Sequence, residues 1–408
     1  MKYFFIAGEP SGDLLGAKLI NALKAKDPEA QFWGIGGDQM IEAGLNSLLP
    51  MHELTVMGVW EAAMRLPQLL KIRNGIVEEI EKLDPDALIT VDFPDFNFSV
   101  AKQLKKRKKV KTRAIHYVAP TVWAWRPGRA KAVAKYLDAM ICLFPFEPPY
   151  FKKHKLRSVY VGHPITDGEI TKGSRERFRK SHQIADDVNL LGLYFGSRQE
   201  ELNNHGKVIK ETAMYVAEQV DNLHLVVPTL DRLEFDVVQL LQDIGIPAYI
   251  DSDFSKKADA LAATDVGIAV SGTVALQLAY TGRPHVIVYK THPVTYWIVR
   301  LLTKVKHIHL GNIMLNKEVI PEFIQGRCHS ESISEEVVKL FKDGEVIQKQ
   351  ERGFEEIRRK MGVQQTEKPS DKAARYIVNL LEASKRPKKA RAASEQSAEE
   401  PAKAALKA

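Results

Sequence analysis

Two cysteines in 408 residues, Cys142 and Cys328, set the first limit on this chain. They lie far apart and form no C-x-x-C. Neither a disulfide framework nor a cysteine zinc site is expected, and a reducing compartment is. No H-x-x-H pair occurs, and His116 and His163 read as hydrogen-bonding core or loop residues rather than metal ligands. Long apolar runs are missing as well: no segment approaches the roughly 18 apolar residues of a membrane-spanning helix. The N-terminal run over residues 1–6 is ended by Gly8-Glu9-Pro10, too soon for a signal peptide, and reads as a first strand. Gly34-Ile35-Gly36-Gly37 does not complete a G-x-G-x-x-G, which weakens a nicotinamide-dependent reading.

What is present begins with charge. The net +8 is unevenly placed. Residues 1–160 hold 24 Lys and Arg against 17 Asp and Glu; residues 161–383 hold 28 against 31; residues 384–408 hold 7 against 3. A basic first half suits anionic ligands or a phosphate-rich surface. Its cations follow no known nucleic-acid module, so no nucleic-acid partner is expected.

Apolar runs of strand length fall at 3–7, 31–34, 87–91, 114–118, 138–143 and 158–161, with helical patterns between them. The alternation restarts with strands at 189–195, 224–227, 248–250, 266–270 and 285–289. This predicts two doubly wound, Rossmann-like α/β domains with mostly parallel sheets. The expected organisation is a first domain over 1–165 and a second over 166–345. Helices at 346–383 would pack back toward the first domain or a partner, and 384–408 would be a disordered basic tail.

Sheets of this kind bind ligands at the carboxyl ends of their strands. Four turns follow strands directly: 8–13, 92–97, 196–198 and 271–273. In S-G-T, Ser271, Gly272 and Thr273 lead into a helix whose free N–H groups and positive dipole end suit a phosphate. A plain strand-turn-helix joint is the alternative. Ser197 and Arg198 open another helix, where a guanidinium suits the same kind of anion. Gln277, one turn past Thr273, is placed to reach a ribose, and Asn312 to close that pocket.

Asp95 follows the strand at 87–91. Pro94 stiffens its backbone, and Phe93 and Phe96 are positioned to dry it, which suits a general base. Asp92 competes for that role, and either carboxylate has helix capping as its plain alternative. Glu9, Ser11 and Asn97 sit in the turns at the same edge and are candidate acceptor contacts. Over 56–73, Trp60, Met64, Leu66, Leu69, Leu70 and Ile72 alternate with Arg65, Lys71 and Arg73. That pattern fits a membrane interface, or equally a core-facing helix, with Pro67 breaking its early part. Trp123 and Trp125, with Pro120, read as a shaped pocket wall or a rigid loop, with plain packing of large rings as the alternative.

Taken in order, G-E-P-S-G-D (8–13), V-M-G (56–58), D-F-P-D-F-N (92–97), H-Y-V-A-P-T-V-W-A-W-R (116–126), F-P-F-E (144–147), V-G-H-P (161–164), G-S-R (196–198), S-G-T-V-A-L (271–276) and G-N-I-M-L (311–315) resemble the lipid-A-disaccharide synthase family up to about residue 380. The resemblance implies a GT-B fold and an inverting transfer of 2,3-diacylglucosamine from its UDP derivative to 2,3-diacylglucosamine 1-phosphate. The β-1,6 disaccharide and UDP would result, with no metal or other cofactor. It also implies a cytoplasmic enzyme, peripheral on the inner face of the inner membrane, and is compatible with a homodimer. Carried over residue by residue, the family's aspartate falls on Asp95, its arginine on Arg198 and its S-G-T turn on Ser271, Gly272 and Thr273. One position departs: related enzymes carry a glutamate where this chain has Gln277. An amide accepts through one oxygen only, a loss of roughly 1 kcal/mol in ribose binding. A UDP-sugar- or lipid-binding GT-B protein with altered substrate or without turnover is the competing reading.

Overall fold

The computed structural model describes residues 1–54, 65–107, 110–124, 126–303, 305–362 and 367–385. The chain divides into two compact units. The first gathers residues 1–122 and 127–162 with the chain from Glu367 on; the second gathers residues 163–366 with 123–126.

The first unit is built on a seven-stranded parallel sheet, β1 (Lys2–Ala7), β2 (Gln31–Ile35), β3 (Asn46–Ser47), β4 (Ala87–Val91), β5 (Arg113–Tyr117), β6 (Ala139–Cys142) and β7 (Arg157–Tyr160), in the order β3-β2-β1-β4-β5-β6-β7. The second carries β8 (Asn189–Tyr194), β9 (Leu223–Pro228), β10 (Ala248–Asp251), β11 (Val266–Val270), β12 (His285–Tyr289) and β13 (Glu322–Ile324), ordered β10-β9-β8-β11-β12-β13. Every residue of β4 and β11 is buried. Helices cover both faces of such a sheet, so its central strands are apolar throughout rather than alternating. Two short edge strands, β3 and β13, escape the apolar pattern because they are two and three residues long.

The strand order fixes where a ligand can sit. It reverses between β1 and β4 in the first sheet and between β8 and β11 in the second. At such a switch point the loops after adjacent strands part and leave a crevice at the carboxyl edge. The turns at 8–13 and 92–97 follow β1 and β4, and those at 196–198 and 271–273 follow β8 and β11. The four turns marked by sequence are therefore the four loops of two switch points.

The apolar stretch over 56–73 needs correction where it is described. Pro67 lies in the first turn of a helix, Leu66–Leu83, and so starts it instead of breaking it. Leu69 and Ile72 pack against the core of the first unit, whereas Leu66 is 52 % and Leu70 39 % exposed. Trp60 and Met64 lie outside the described residues, as does the tail from residue 386 on. Ser384 and Lys385, expected in that tail, end the helix Pro369–Lys385, and Lys385 pairs with Asp86 at 2.9 Å. This helix packs on Pro10–Lys26 in the first unit, while Gly344–Met361 stays with the second.

Candidate active site

At the switch point of the first sheet, Asp92 and Phe93 both take the left-handed backbone, with φ of 48° and 45°. Val118, after β5, does the same at φ 80°. A β-branched residue adopts that region only under constraint from its surroundings, and such strain gathers at functional edges. The turn is held from behind. Asn97 is fully buried and donates from Nδ2 to the Asp92 carbonyl at 2.7 Å. Its amide nitrogen thus supports the turn, while its Oδ1 is buried without a hydrogen-bond partner among the described residues. The Phe93 ring passes over Gly8, where a Cβ would stand 2.5 Å from it, so the first turn needs glycine there.

The two aspartates end up in opposite environments. Asp95 lies in the first turn of the helix Pro94–Lys105, and its side chain is 86 % exposed. The expected drying by Phe93 and Phe96 does not occur: those rings lie 5.9 Å apart and Phe96 turns into the core. Instead, Arg129 holds Asp95 Oδ1 at 2.6 Å while its guanidinium sits 5.0 Å from the centroid of the Phe98 ring. Asp92 is the half-buried one. Loss of solvent raises its pKa, and hydrogen bonds from the Phe93 N–H and the Ser11 hydroxyl pull the other way. Neither carboxylate caps the helix, whose N-cap position is Phe93. Glu9 occupies the N-cap position of Pro10–Lys26 without capping it, and both Glu9 and Ser11 are exposed. The other acid of that motif, Asp13, faces inward and accepts from the N–H groups of Gly37, Gln39 and Met40. His116 is a core residue 2.7 Å from the Thr90 hydroxyl; burial, then Arg129, push its pKa down to about 3.

The switch point of the second sheet opens into a cavity of about 390 Å³. Ser197, Arg198, Ser271, Gly272 and Thr273 line it together with Thr229 and Lys257. Arg198 is exposed and makes no ion pair among the described residues. The helix Thr273–Thr281 begins at Gly272 with no side-chain cap. Its first N–H groups and the dipole end therefore face the cavity. A Cβ on Gly272 would meet no atom within 4 Å, so the space above this glycine is open. The Ser271 hydroxyl is partly committed, donating to the Ile308 carbonyl at 3.1 Å.

Two expected contacts stay outside this cavity. Gln277 is not on its wall, although its amide oxygen is buried without a hydrogen-bond partner among the described residues. Asn312 is fully buried and saturated. It donates to the Ile320 carbonyl and Glu322 Oε1 and accepts from the Val319 and Ile320 N–H groups at 2.9 and 3.0 Å. It knots the loop before β13 and has nothing left for a ligand.

Comparison with known proteins adds an independent line. The family model described as "Lipid-A-disaccharide synthetase" matches residues 3–378. This chain belongs to the lipid-A-disaccharide synthase family. A family member from Rhodospirillum centenum is 40 % identical over 379 residues, covering 93 % of this chain and 94 % of that one. Another, from Paramagnetospirillum magneticum, is 38 % identical over 384 residues, covering 93 % and 98 %. Among solved structures, a putative UDP-N-acetylglucosamine 2-epimerase from Listeria monocytogenes superposes with a TM-score of 0.62 at 15 % identity, covering 92 % of this chain and 94 % of that one. MurG from Acinetobacter baumannii gives 0.53 at 14 %, covering 93 % and 99 %. At these identities the structures speak to fold alone, and the fold is GT-B.

Three residues of this lipid-A-disaccharide synthase family member escape sequence reasoning. Arg129 reaches Asp95 from a separate helix. Glu201 accepts from the Ser197 and Arg198 N–H groups at 2.7 and 3.1 Å and so takes up the backbone donors of that turn. A Cβ on Gly196 would stand 2.2 Å from the same carboxylate, which explains the glycine at φ 95°. Lys257 brings a second cation to the cavity, its pKa lowered by burial. The S-x-x-x-E spacing of Ser197 and Glu201 is that of an ordinary helix start and carries no functional signal.

Proposed function

We propose that this chain joins UDP-2,3-diacylglucosamine to 2,3-diacylglucosamine 1-phosphate, releasing UDP and forming the β-1,6-linked disaccharide 1-phosphate with inversion. Family membership makes it a glycosyltransferase of lipid A disaccharide synthesis. The observation that carries the finer reading is the cavity at the second switch point, with an unpaired arginine on one wall and an uncapped helix start on the other. A leaving diphosphate gains charge as the glycosidic bond breaks. Arg198, Lys257 and the N–H groups at 272–274 would meet that charge with donors already in place. On the first unit, Asp95 would take the proton of the attacking 6-hydroxyl, held in orientation by Arg129. Asp92 is a second reading for the base, favoured by its more sheltered position and raised pKa.

No helix among the described residues is long and apolar enough to cross a membrane. Both substrates are amphiphiles, so the enzyme is read as docking on the cytoplasmic face of the inner membrane. Exposed Leu66 and Leu70, one turn apart, would be part of that contact.

Incubation with both lipid substrates in detergent, at several acyl lengths, is expected to release disaccharide and UDP in equal amounts. UDP without disaccharide, or no turnover by well-folded protein, would refute this assignment. A second expected result concerns Gly272. Gly272→Asn keeps a favoured helix cap, so the thermal midpoint should stay within about 2 °C. Filling the space above the turn should weaken UDP binding about tenfold or more, read by calorimetry. Unchanged affinity would place the diphosphate elsewhere.

A further inference from the structure

From Val266 to Lys317 the chain has no Asp or Glu and six Lys or Arg, although residues 161–383 as a whole are net negative. Within this stretch lies the helix Pro293–Leu302, which follows β12 and so starts at the carboxyl edge of the second sheet. It presents large apolar side chains to solvent. Trp297 is 69 % and Leu301 88 % exposed, and their i, i+4 spacing puts them on one face. Lys290, Arg300 and Lys306 are exposed around it and make no ion pair among the described residues. Exposed Trp and Leu side by side would be a liability on a surface meant only for water.

We infer that the helix Pro293–Leu302 is a second membrane-docking element, carried by the nucleotide-binding unit and seated on an anionic phospholipid surface. The chemistry selects this occupant. A short amphipathic helix with Trp and Leu on one face and cations beside them fits the zone between acyl chains and headgroups. Each flanking Lys or Arg gains from the negative potential of an anionic leaflet, and an acid-free stretch adds no repulsion. A protein surface would ask for mixed charge on the face, and between Val266 and Lys317 the chain supplies cations with no acid. The placement also matters for the reaction, on the reading that the donor is a lipid: the sheet edge that would hold its diphosphate is the edge from which this helix emerges.

Flotation of the full chain with vesicles tests the inference without requiring turnover. Wild type should float with phosphatidylethanolamine vesicles containing phosphatidylglycerol more than with phosphatidylcholine alone, and added salt should weaken this. Trp297→Ser with Leu301→Ser should lower vesicle partitioning about tenfold or more. Arg300→Gln with Lys306→Gln should lower it about tenfold, chiefly at low salt. Both variants should keep the wild-type rate on detergent-dispersed substrates, and a parallel Leu66→Ser, Leu70→Ser variant should show a separate loss. Unchanged partitioning in the Trp297 and Arg300 variants would overturn the inference. So would a shift from dimer to monomer in the Trp297 variant, seen by sedimentation, with vesicle binding intact, because the face would then join copies of this chain. Loss of turnover in wild type with vesicle binding preserved would count against the proposed reaction and leave this surface supported.

Discussion

Arg198→Ala is expected to lower kcat by about 10²- to 10³-fold, the usual cost of removing one preorganised donor from a developing negative charge. The reason lies in how the turn is built. Glu201 already accepts from the Ser197 and Arg198 N–H groups, so that wall offers an anion its guanidinium more than its backbone. The helix Gln199–Ala217 keeps this cap when the side chain is cut back, because the bonds involve backbone N–H of residue 198. Thermal stability should therefore hold while turnover collapses. Arg198→Lys should recover part of the rate, since it restores a charge without the flat fork. Initial rates of UDP release at saturating donor give the answer. A kcat for Arg198→Ala within about threefold of wild type would show that the departing diphosphate is stabilised by other groups.

Asp95→Asn is expected to cost about 10²- to 10⁴-fold in kcat, the range for a lost general base. Asp92→Asn makes the control, and pH separates the two. Burial raises the Asp92 pKa above that of an unfolded aspartate. A raised carboxyl contributes stability while it is protonated, below the unfolded value of about 3.9, and that contribution is lost as pH rises through the folded value. Asparagine does not titrate and tolerates the left-handed backbone. Asp92→Asn should therefore melt higher than wild type at neutral pH, with the gap closing toward pH 3. If Asp95 is the base, this stabilised variant keeps most of its turnover. If Asp92→Asn loses turnover and Asp95→Asn does not, the half-buried carboxylate is the base and the exposed one serves position or binding.

Much of this was legible in the chain because parallel sheets bury their strands on both faces. Runs such as A-L-I-T-V and V-G-I-A-V read as buried strands, and their positions alone put four turns directly after strands, at the carboxyl edges of the sheets. Other features depend on three-dimensional neighbours that a local pattern does not encode. Asp95 looked shielded because two phenylalanines flank it, yet a helical turn sends Phe96 into the core and Asp95 out. Asn312 looked like a ligand contact, but Glu322 and the loop at 319–320 use all its hydrogen-bonding capacity. Arg129, Glu201 and Lys257 reach their places by tertiary packing, from positions with no motif around them.

The contact between Pro10–Lys26 and Pro369–Lys385 joins the two ends of the sequence. Leu19, Ile20 and Leu23 are buried on the first helix, and Ala373, Ile377 and Leu381 on the second. During synthesis the early helix emerges hundreds of residues before the segment that packs on it. The unit translated first is thus the last to be finished, after the inserted unit has had time to fold on its own. Closing so long a loop costs entropy that only slowly grows with its length, but it delays the moment of closure. Until then the half that carries Asp95 keeps an apolar helix face in need of cover. A chain cut short before residue 369 would lose its first domain's integrity, although the missing piece belongs to its far end.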